Sequence, residues 1–431
     1  MDQFVIEGGH VLNGTVRVNG NKNSALKLIA ACLLTDQPVT LRNVPDIADV
    51  RVMCEILRRL GASVNWEGDH TLVIHARELH THKVPPELAR QVRASIVLAG
   101  PMLGRMGQIE LPAPGGDVIG RRRVDTHMLA LTELGARIEV DGAFKMQADG
   151  LRGADILLDE ASVTATENTL MAAATATGTT IIRNAACEPH IQDMCNFLVM
   201  LGAHITGIGS NTLTIEGVTR LNGGEFRVGA DYLEVGSFIG AAAMTGGEVL
   251  IEQADPANLV TIEPVFNRLG VHWETRGADI FVPRTQAMTI TADLGKRIPQ
   301  VKAQPWPGFP TDLLSIAIVI ATQSAGAVLF HEWMYENRLF FTDKLTQMGA
   351  RIILCDPHRA LTQGPTTLHG GVTLTSPDIR AGMTLVLAAL CARGTTTILN
   401  VHQIDRGYER VDERLNALGA HIERINAAQP A

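Results

Sequence analysis

A short phrase recurs six times along the chain: Leu60-Gly61-Ala62, Leu134-Gly135-Ala136, Leu201-Gly202-Ala203, Leu269-Gly270-Val271, Met348-Gly349-Ala350 and Leu418-Gly419-Ala420. A spacing of about 70 residues marks a repeat-built architecture. An amphipathic run such as Val50–Arg59 precedes the phrase and an alternating apolar strand such as Arg137-Ile138-Glu139-Val140 follows it. Glycine ends a helix there because it enters the left-handed backbone region at no steric cost. Upstream, each unit carries a helix of small and apolar residues leading to a strand, as in Ser24–Ala31 before Val39-Thr40-Leu41 and Ala94–Ala99 before Gln108–Leu111. Each unit therefore reads helix, strand, helix, strand.

Small residues on the first helix of each unit let neighbouring backbones approach closely, which predicts that these helices are buried. Single units are too small for independent cores, so stacking must supply the burial. A length of 431 residues suits two or three domains, and three units per domain is the simplest division.

Hydrophobic residues make up 46% and charged residues 19% of the chain, enough material for substantial cores. The apolar run from Leu313 to Phe330 is broken by Gln323, Ser324 and Gly326, which predicts a buried helix followed by a strand rather than a membrane span. The N-terminus alternates directly into a strand and has no signal-peptide pattern, so a cytoplasmic protein is expected. Six cysteines are scattered singly, without a CxxC pair, and read as reduced core thiols. A net charge of −8 argues against nucleic-acid binding. No metal-ligand spacing is visible, so no metal and no cofactor are expected.

The usual nucleotide loops, GxxxxGK[ST] and GxGxxG, are missing, so any phosphate site must be built from side chains. Basic residues at turns are therefore informative in this acidic chain. Lys22 and Asn23 open the first small-residue helix, where a cation and helix N-terminal amides can converge on an anion. Arg93 precedes the second such helix. Arg121, Arg122 and Arg123 follow the Gly-rich loop Pro112–Gly120. Arg338, Arg380 and Arg406 stand in loops or at element ends of the second half. Together they suggest an anion cleft between two three-unit domains.

The phrases Gly20–Leu26, Val92-Arg93-Ala94-Ser95, Phe309-Pro310-Thr311-Asp312, Glu336-Asn337-Arg338, Asp378-Ile379-Arg380-Ala381 and Ile404–Arg410 run in order over the whole chain. In them the sequence closely resembles the UDP-N-acetylglucosamine 1-carboxyvinyltransferase family of enolpyruvyl transferases. The resemblance implies two inverse α/β-barrel-like domains, each of three βαβαββ repeats with buried helices. Residues 21–229 would form one lobe, carrying a catalytic loop at about 112–123, and residues 1–20 plus 230–431 the other, with the active site in the cleft between them.

The implied reaction transfers the enolpyruvyl group of phosphoenolpyruvate to the 3-hydroxyl of UDP-N-acetylglucosamine, by addition and then elimination of phosphate, as the first committed step of peptidoglycan synthesis. Both substrates are small molecules, and no nucleic acid, membrane or cofactor is implied. By correspondence, Lys22, Arg122 and Arg406 hold the phosphate, Arg338 and Arg380 meet the carboxylate, and Arg93 lies nearby. Asp312 receives the hydroxyl proton, with Asn23 orienting that hydroxyl. As Thr311-Asp312 opens an apolar helix, Asp312 is also a candidate N-cap. By the same correspondence Asp378 fixes the neighbouring Arg380 or shapes the closed site. Arg122, Arg123, Val124, Asp125, Thr126, Ser162, Val163 and Thr164 contact the nucleotide, while Met334 and Glu336 flank the sugar.

One departure bears on mechanism. Asp117 stands where most of the family has a loop cysteine. A carboxylic acid can protonate the vinyl carbon without forming the same stable covalent adduct, so Asp117 is the expected general acid and insensitivity to the epoxide fosfomycin is implied. Arg123 replaces a common proline, Thr164 a frequent glycine, His190 a glutamate and Tyr232 an arginine. These positions leave open an acceptor other than UDP-N-acetylglucosamine, or a non-catalytic UDP-sugar-binding regulator.

Overall fold

The computed structural model describes residues 2–116, 119–120 and 122–426. All six repeat phrases close a helix in the same way. Gly61, Gly135, Gly202, Gly270, Gly349 and Gly419 have φ between 85° and 116°. The residue after each glycine reaches back five positions with its amide: Ala62 to the Leu57 carbonyl at 3.0 Å, Ala203 to Leu198 at 2.9 Å, Val271 to Phe266 at 2.9 Å. The glycine amide reaches back three, as from Gly61 to Arg58 and from Gly135 to Thr132. This paired closure satisfies carbonyls that the helix end would otherwise leave exposed. The apolar residue before each glycine and the small one after it are buried, so the turn also anchors the next strand in the core.

At Gly135 the nearest atom to an added Cβ would be 4.0 Å away, so only the backbone conformation, with φ of +99°, opposes a side chain. Gly135→Ala is expected to cost about 1–2 kcal/mol, the penalty of an L-residue in the left-handed region. Urea unfolding checks this, and an unchanged midpoint contradicts it.

The chain divides into two compact units, one of Met1–Asn19, Val118–Arg121 and Ala230–Ala431, the other of Gly20–Asp117 and Arg122–Gly229. Each contains three small sheets, of which only the one of Gln108–Pro112, Ala143–Gln147 and Arg137–Val140 pairs its strands solely antiparallel. In the typical sheet a strand after the small-residue helix pairs antiparallel with a hairpin strand and parallel with a more distant one. Thus Val39–Arg42 lies between Thr71–His75 and Gly224–Arg227, with Ser63–Trp66 beyond the hairpin strand. The helix–strand–helix–strand reading of the repeats omits these hairpin and parallel strands.

The N-terminal segment completes two sheets of the unit formed by the C-terminal half. Gln3–Glu7 pairs with Thr395–Leu399 and His421–Ile425, and Asn13–Arg17 pairs with Glu248–Glu252. The chain's first strand therefore needs its last for burial of Phe4 and Ile6.

The small-residue helices lie in the two cores. Tyr232–Thr245, Thr311–Gln323 and Ile379–Cys391 pack on one another in one unit, and Lys22–Ala31 and Val163–Ala173 lie in the core of the other. Close approach explains their composition. A Cβ on Gly236 would stand 3.0 Å from Leu313, and one on Gly240 3.2 Å from Ile316 and Ile320. The run Leu313–Phe330 forms helix Thr311–Gln323 and strand Gly326–His331. Among the described residues no helix is long and apolar enough to cross a membrane.

The second small-residue segment departs from a simple α-helix. Arg93–Leu98 is a 3₁₀-helix that continues as an α-helix over Ala99–Met106. Pro101 removes one amide from the ladder. Asn168 also intrudes: its Oδ1 accepts from the Gly100 amide at 2.7 Å and its Nδ2 donates to the Ile96 carbonyl at 2.9 Å. Those two backbone groups would bond each other in an α-helix. A side chain from a neighbouring helix thus replaces one rung, and the helix tightens ahead of it. The cysteines also include an exception to core burial, for Cys355 is exposed on strand Arg351–Asp356, whose outward face carries it into solvent.

Candidate active site

In the unit of Gly20–Asp117 and Arg122–Gly229, Lys22 and Asn23 occupy the first turn of helix Lys22–Ala31, and Asn21 caps it by accepting from the Ser24 amide at 2.9 Å. The Lys22 ammonium is buried and lies 2.7 Å from a carboxylate oxygen of Asp49, itself buried in the first turn of helix Ala48–Leu60. Burial of the pair is tolerable because each charge neutralises the other, and Asp49 also sits at the positive end of its helix.

Arg93 braces the loop that follows Gln108–Pro112. Its guanidinium donates to the Arg122 carbonyl at 2.8 Å and to the Pro114 carbonyl at 3.5 Å, tying the loop's two stems together. The glycines between them are required by space. A Cβ on Gly115 would stand 1.6 Å from the Arg90 carbonyl oxygen, and one on Gly116, at φ of +109°, 2.7 Å from the Arg93 Cβ. Asp117 and Arg121 lie outside the described residues.

The residues expected at the nucleotide are brought together by two hydrogen-bonded connections. Arg123 pairs with Asp125 at 3.0 Å and Asp159 at 2.9 Å, while the Thr126 hydroxyl donates to Asp159 at 2.5 Å. Ser162 caps helix Val163–Ala173, and the Thr164 hydroxyl meets His127 Nε2 at 3.0 Å. His127 Nδ1 in turn accepts from Asn168 Nδ2 at 2.8 Å. Since that amide can only donate, the ring proton belongs on Nε2, facing Thr164. Neither Asp159 nor the His127–Asn168 pair was predicted from sequence; they are core and loop residues with no motif of their own.

Burial, with the Arg93 charge adding to it, pushes the His127 imidazole from 6.5 down to about 3. The unfolded chain takes up this proton below about pH 6.5 whereas the folded chain holds it off until about 3, so folding stability is lost as pH falls through that window. Between pH 7 and 5 the loss attributable to His127 is about 2 kcal/mol. Urea unfolding of the wild type and His127→Gln at both pH values should show a steeper decline for the wild type. Equal declines would contradict this burial-driven shift.

The other unit assembles a charged triad. Asp312 accepts from Arg338 Nη2 at 2.6 Å and from Arg380 Nε at 3.3 Å. Both guanidiniums are buried, while the Asp312 side chain keeps 26% exposure. Burial alone would raise the Asp312 pKa, but the Arg338 and Arg380 charges outweigh it and hold the carboxyl well below its ordinary 3.8. Arg338 Nε and Arg380 Nη1 are buried with no hydrogen-bond partner. Such N–H groups are costly unless an acceptor reaches them.

The N-cap role for Asp312 is corrected here. The cap of helix Thr311–Gln323 is Pro310, and Asp312 lies within the first turn, its carboxylate drawn to two guanidiniums in preference to a backbone amide. Asp378 is the true cap of helix Ile379–Cys391, accepting from the Arg380 and Ala381 amides at 2.8 and 2.9 Å. It fixes Arg380 through the backbone, and the Arg380 side chain lies over the Tyr408 ring at 5.3 Å.

Glu332, fully buried, joins the segment that carries Met334 and Glu336 to helix Thr311–Gln323. It accepts from the Thr311 hydroxyl through one oxygen and from the Met334 amide at 2.9 Å through the other. It therefore orders Met334, Glu336 and Arg338 relative to Asp312. Arg406 caps the short helix His402–Asp405 and donates to Gln403 Oε1 at 2.8 Å. Its segment is pinned by Arg424, which pairs with Asp405 at 2.8 Å and Asp412 at 2.9 Å. Glu332 and Arg424 carry no sequence signal, because the side chains they join to, Thr311 for Glu332 and Asp405 and Asp412 for Arg424, are 12 to 21 residues distant and belong to different elements. Of the remaining departures, His190 is buried in the first turn of helix Pro189–Met200, and Tyr232 begins helix Tyr232–Thr245 with its ring 5.9 Å from Trp306.

Residues 6–415 match the model of the family EPSP synthase (3-phosphoshikimate 1-carboxyvinyltransferase). A UDP-N-acetylglucosamine 1-carboxyvinyltransferase of Treponema denticola is 53% identical over 98% of this chain and 99% of its own length. One of Bradyrhizobium diazoefficiens is 54% identical over 98% of each chain. The chain belongs to the UDP-N-acetylglucosamine 1-carboxyvinyltransferase family.

Among solved structures, the enolpyruvyl transferase NikO of Streptomyces tendae matches with a TM-score of 0.88 at 27% identity, over 99% of this chain and all (100%) of that one. An EPSP synthase of Acinetobacter baumannii shares the fold, with a TM-score of 0.76 at 17% identity, over 99% of this chain and 100% of its own. The expected fold class, an enolpyruvyl transferase fold of small sheets and buried helices, is thus borne out. As a member of this family of transferases, the chain is an enzyme, and its buried Arg338 and Arg380 place positive charge at chosen points of a protein that is negative overall.

Proposed function

We propose that this chain transfers the enolpyruvyl group of phosphoenolpyruvate to the 3-hydroxyl of UDP-N-acetylglucosamine and releases phosphate, the step that commits the sugar to peptidoglycan. The observation that carries the reading is the Asp312 carboxylate held by two buried arginines whose Arg338 Nε and Arg380 Nη1 groups are unsatisfied. A second carboxylate, that of phosphoenolpyruvate, suits those N–H groups. The names of the relatives, at more than half identity over nearly the whole chain, support the acceptor.

In this reading Lys22 and Arg122, with Arg406, neutralise the phosphate, and Arg93 acts by holding the Arg122 backbone. Asp117 delivers a proton to the vinyl CH2 carbon. The sugar 3-oxygen then bonds to the adjacent carbon while its proton passes to Asp312, and Asn23 orients the hydroxyl. Elimination removes a proton from the new methyl group, re-forms the double bond and expels phosphate. Asp312 is a weak base while both guanidiniums face it. A substrate carboxylate that draws on the same arginines weakens that hold and raises its basicity for the step that needs it. Arg122–Thr126 and Ser162–Thr164 bind the nucleotide, ordered by Asp159 and His127, and Met334, Glu336 and Asp378 complete the surroundings of the sugar and the carboxylate.

Phosphate release from phosphoenolpyruvate, followed with UDP-N-acetylglucosamine, UMP, other UDP-sugars and shikimate 3-phosphate in turn, tests this function. Release with UDP-N-acetylglucosamine alone is expected; release with a different acceptor, or binding without release, would overturn the reading. Incubation with fosfomycin should leave turnover and intact mass unchanged, because a carboxylate at position 117 does not form the adduct of a thiol. Stoichiometric inactivation with a loop adduct would contradict it.

A further inference from the structure

The described residues include a second cluster of ligating side chains that the proposed chemistry does not use: Glu7, His10 and His421. Sequence spacing hides it, since His421 lies more than 400 positions from the other two. Strand pairing brings them together. Glu7 ends strand Gln3–Glu7 directly opposite His421, which begins the antiparallel strand His421–Ile425, so both side chains leave the same face of the sheet.

The two glycines that follow return the chain tightly. The Gly8 amide donates to the Gly394 carbonyl at 3.1 Å and the Gly9 amide to the Leu390 carbonyl at 2.8 Å. A Cβ on Gly8 would stand 2.2 Å from the Ala392 carbonyl oxygen, and Gly9 has φ of +90°. This clamp lays the His10 ring over the His421 ring, with centroids 3.6 Å apart and planes 19° from parallel.

The donor atoms converge. His10 Nε2 is buried without a hydrogen-bond partner and lies 3.6 Å from one Glu7 carboxylate oxygen. The other oxygen lies 3.7 Å from His421 Nδ1, and one ligand atom from each residue falls within 4.8 Å of the others. Donors around a tetrahedral ion with bonds of about 2.0–2.1 Å stand about 3.3 Å apart. An ion must lie in the plane of each imidazole that binds it, so rotation of the exposed His421 ring out of the stack, with that of Glu7, turns the three donors onto one point, while the Gly8–Gly9 backbone holds the position of His10.

We propose that Glu7, His10 and His421 bind one divalent transition-metal ion of the zinc class. Two imidazole nitrogens with one carboxylate suit Zn²⁺, Ni²⁺ or Cu²⁺ and leave a coordination position for water, whereas Mg²⁺ and Ca²⁺ require oxygen donors. The ion joins strand Gln3–Glu7 to strand His421–Ile425, so its effect is on stability: it closes a loop of more than 400 residues.

The test uses the full chain without a histidine tag. Zn²⁺ is titrated in competition with a chromophoric chelator, and the unfolding temperature is measured with and without Zn²⁺, for the wild type, Glu7→Gln, His10→Ala and His421→Ala. One ion per chain and a raised unfolding temperature are expected for the wild type. Each histidine variant should keep the metal-free unfolding temperature and lose affinity by at least about tenfold. Binding of less than half an ion per wild-type chain, unaltered affinity in the double variant His10→Ala with His421→Ala, or equal stabilisation by Mg²⁺ would overturn the proposal.

Discussion

Asp312→Asn is expected to lower kcat by about 10²–10⁴-fold, the usual worth of a positioned general base, with a smaller change in KM. Its second consequence is structural. The wild-type carboxylate neutralises two buried guanidiniums, and an amide leaves them facing one another. Removing one partner of a buried ion pair costs about 3–5 kcal/mol, and the partial exposure of Asp312 places its cost toward or below the lower figure. The pH signature has a definite sign. The folded pKa lies below the ordinary 3.8, so the stabilisation is complete above about pH 4 and is lost as pH falls further. The variant should therefore be less stable at pH 7, with the difference closing in acid. Stopped-flow turnover and urea unfolding measure the two effects separately. A variant with full kcat would remove Asp312 from proton transfer even if its stability fell.

Asp117→Asn is expected to abolish turnover while binding of UDP-N-acetylglucosamine remains measurable by calorimetry. An amide keeps the size and polarity of the side chain but has no proton to give to carbon. The backbone before this position is closely held, because Gly115 and Gly116 press against Arg90 and Arg93, and after it Arg93 grips the Arg122 carbonyl. Unchanged turnover would exclude Asp117 as the acid. Loss of sugar binding together with turnover would point instead to a role in binding.

The local chemistry of this chain is readable from its sequence, and the long-range chemistry is not. The six repeat phrases, four of them Leu-Gly-Ala, announce helix ends because the closure is built from amides and carbonyls within six residues and from one glycine in the left-handed region. The small-residue helices announce their burial because Gly236 and Gly240 are the direct price of close packing. Lys22, Arg338 and Arg380 were recognisable as phrases, yet their partners were not: Asp49 and Asp312 are supplied by other elements. Asp312 looked like a cap because capping is a local rule, whereas the two arginines that claim it stand 26 and 68 positions away. Asn168 rewires a helix 68 residues upstream, and no propensity scale could place it there. The same holds for Glu7, His10 and His421, which only the pairing of the first and last strands assembles.

Enolpyruvyl transfer to the sugar is read most plainly from the product itself. With phosphoenolpyruvate labelled at its three carbons and UDP-N-acetylglucosamine as acceptor, carbon NMR should show an intact vinyl ether bonded to the sugar 3-oxygen, formed in step with free phosphate. In D2O, deuterium should enter the vinyl CH2 position, since addition makes a methyl group and elimination removes one of its three hydrogens. Phosphate appearing with free labelled pyruvate and no sugar ether would contradict the account.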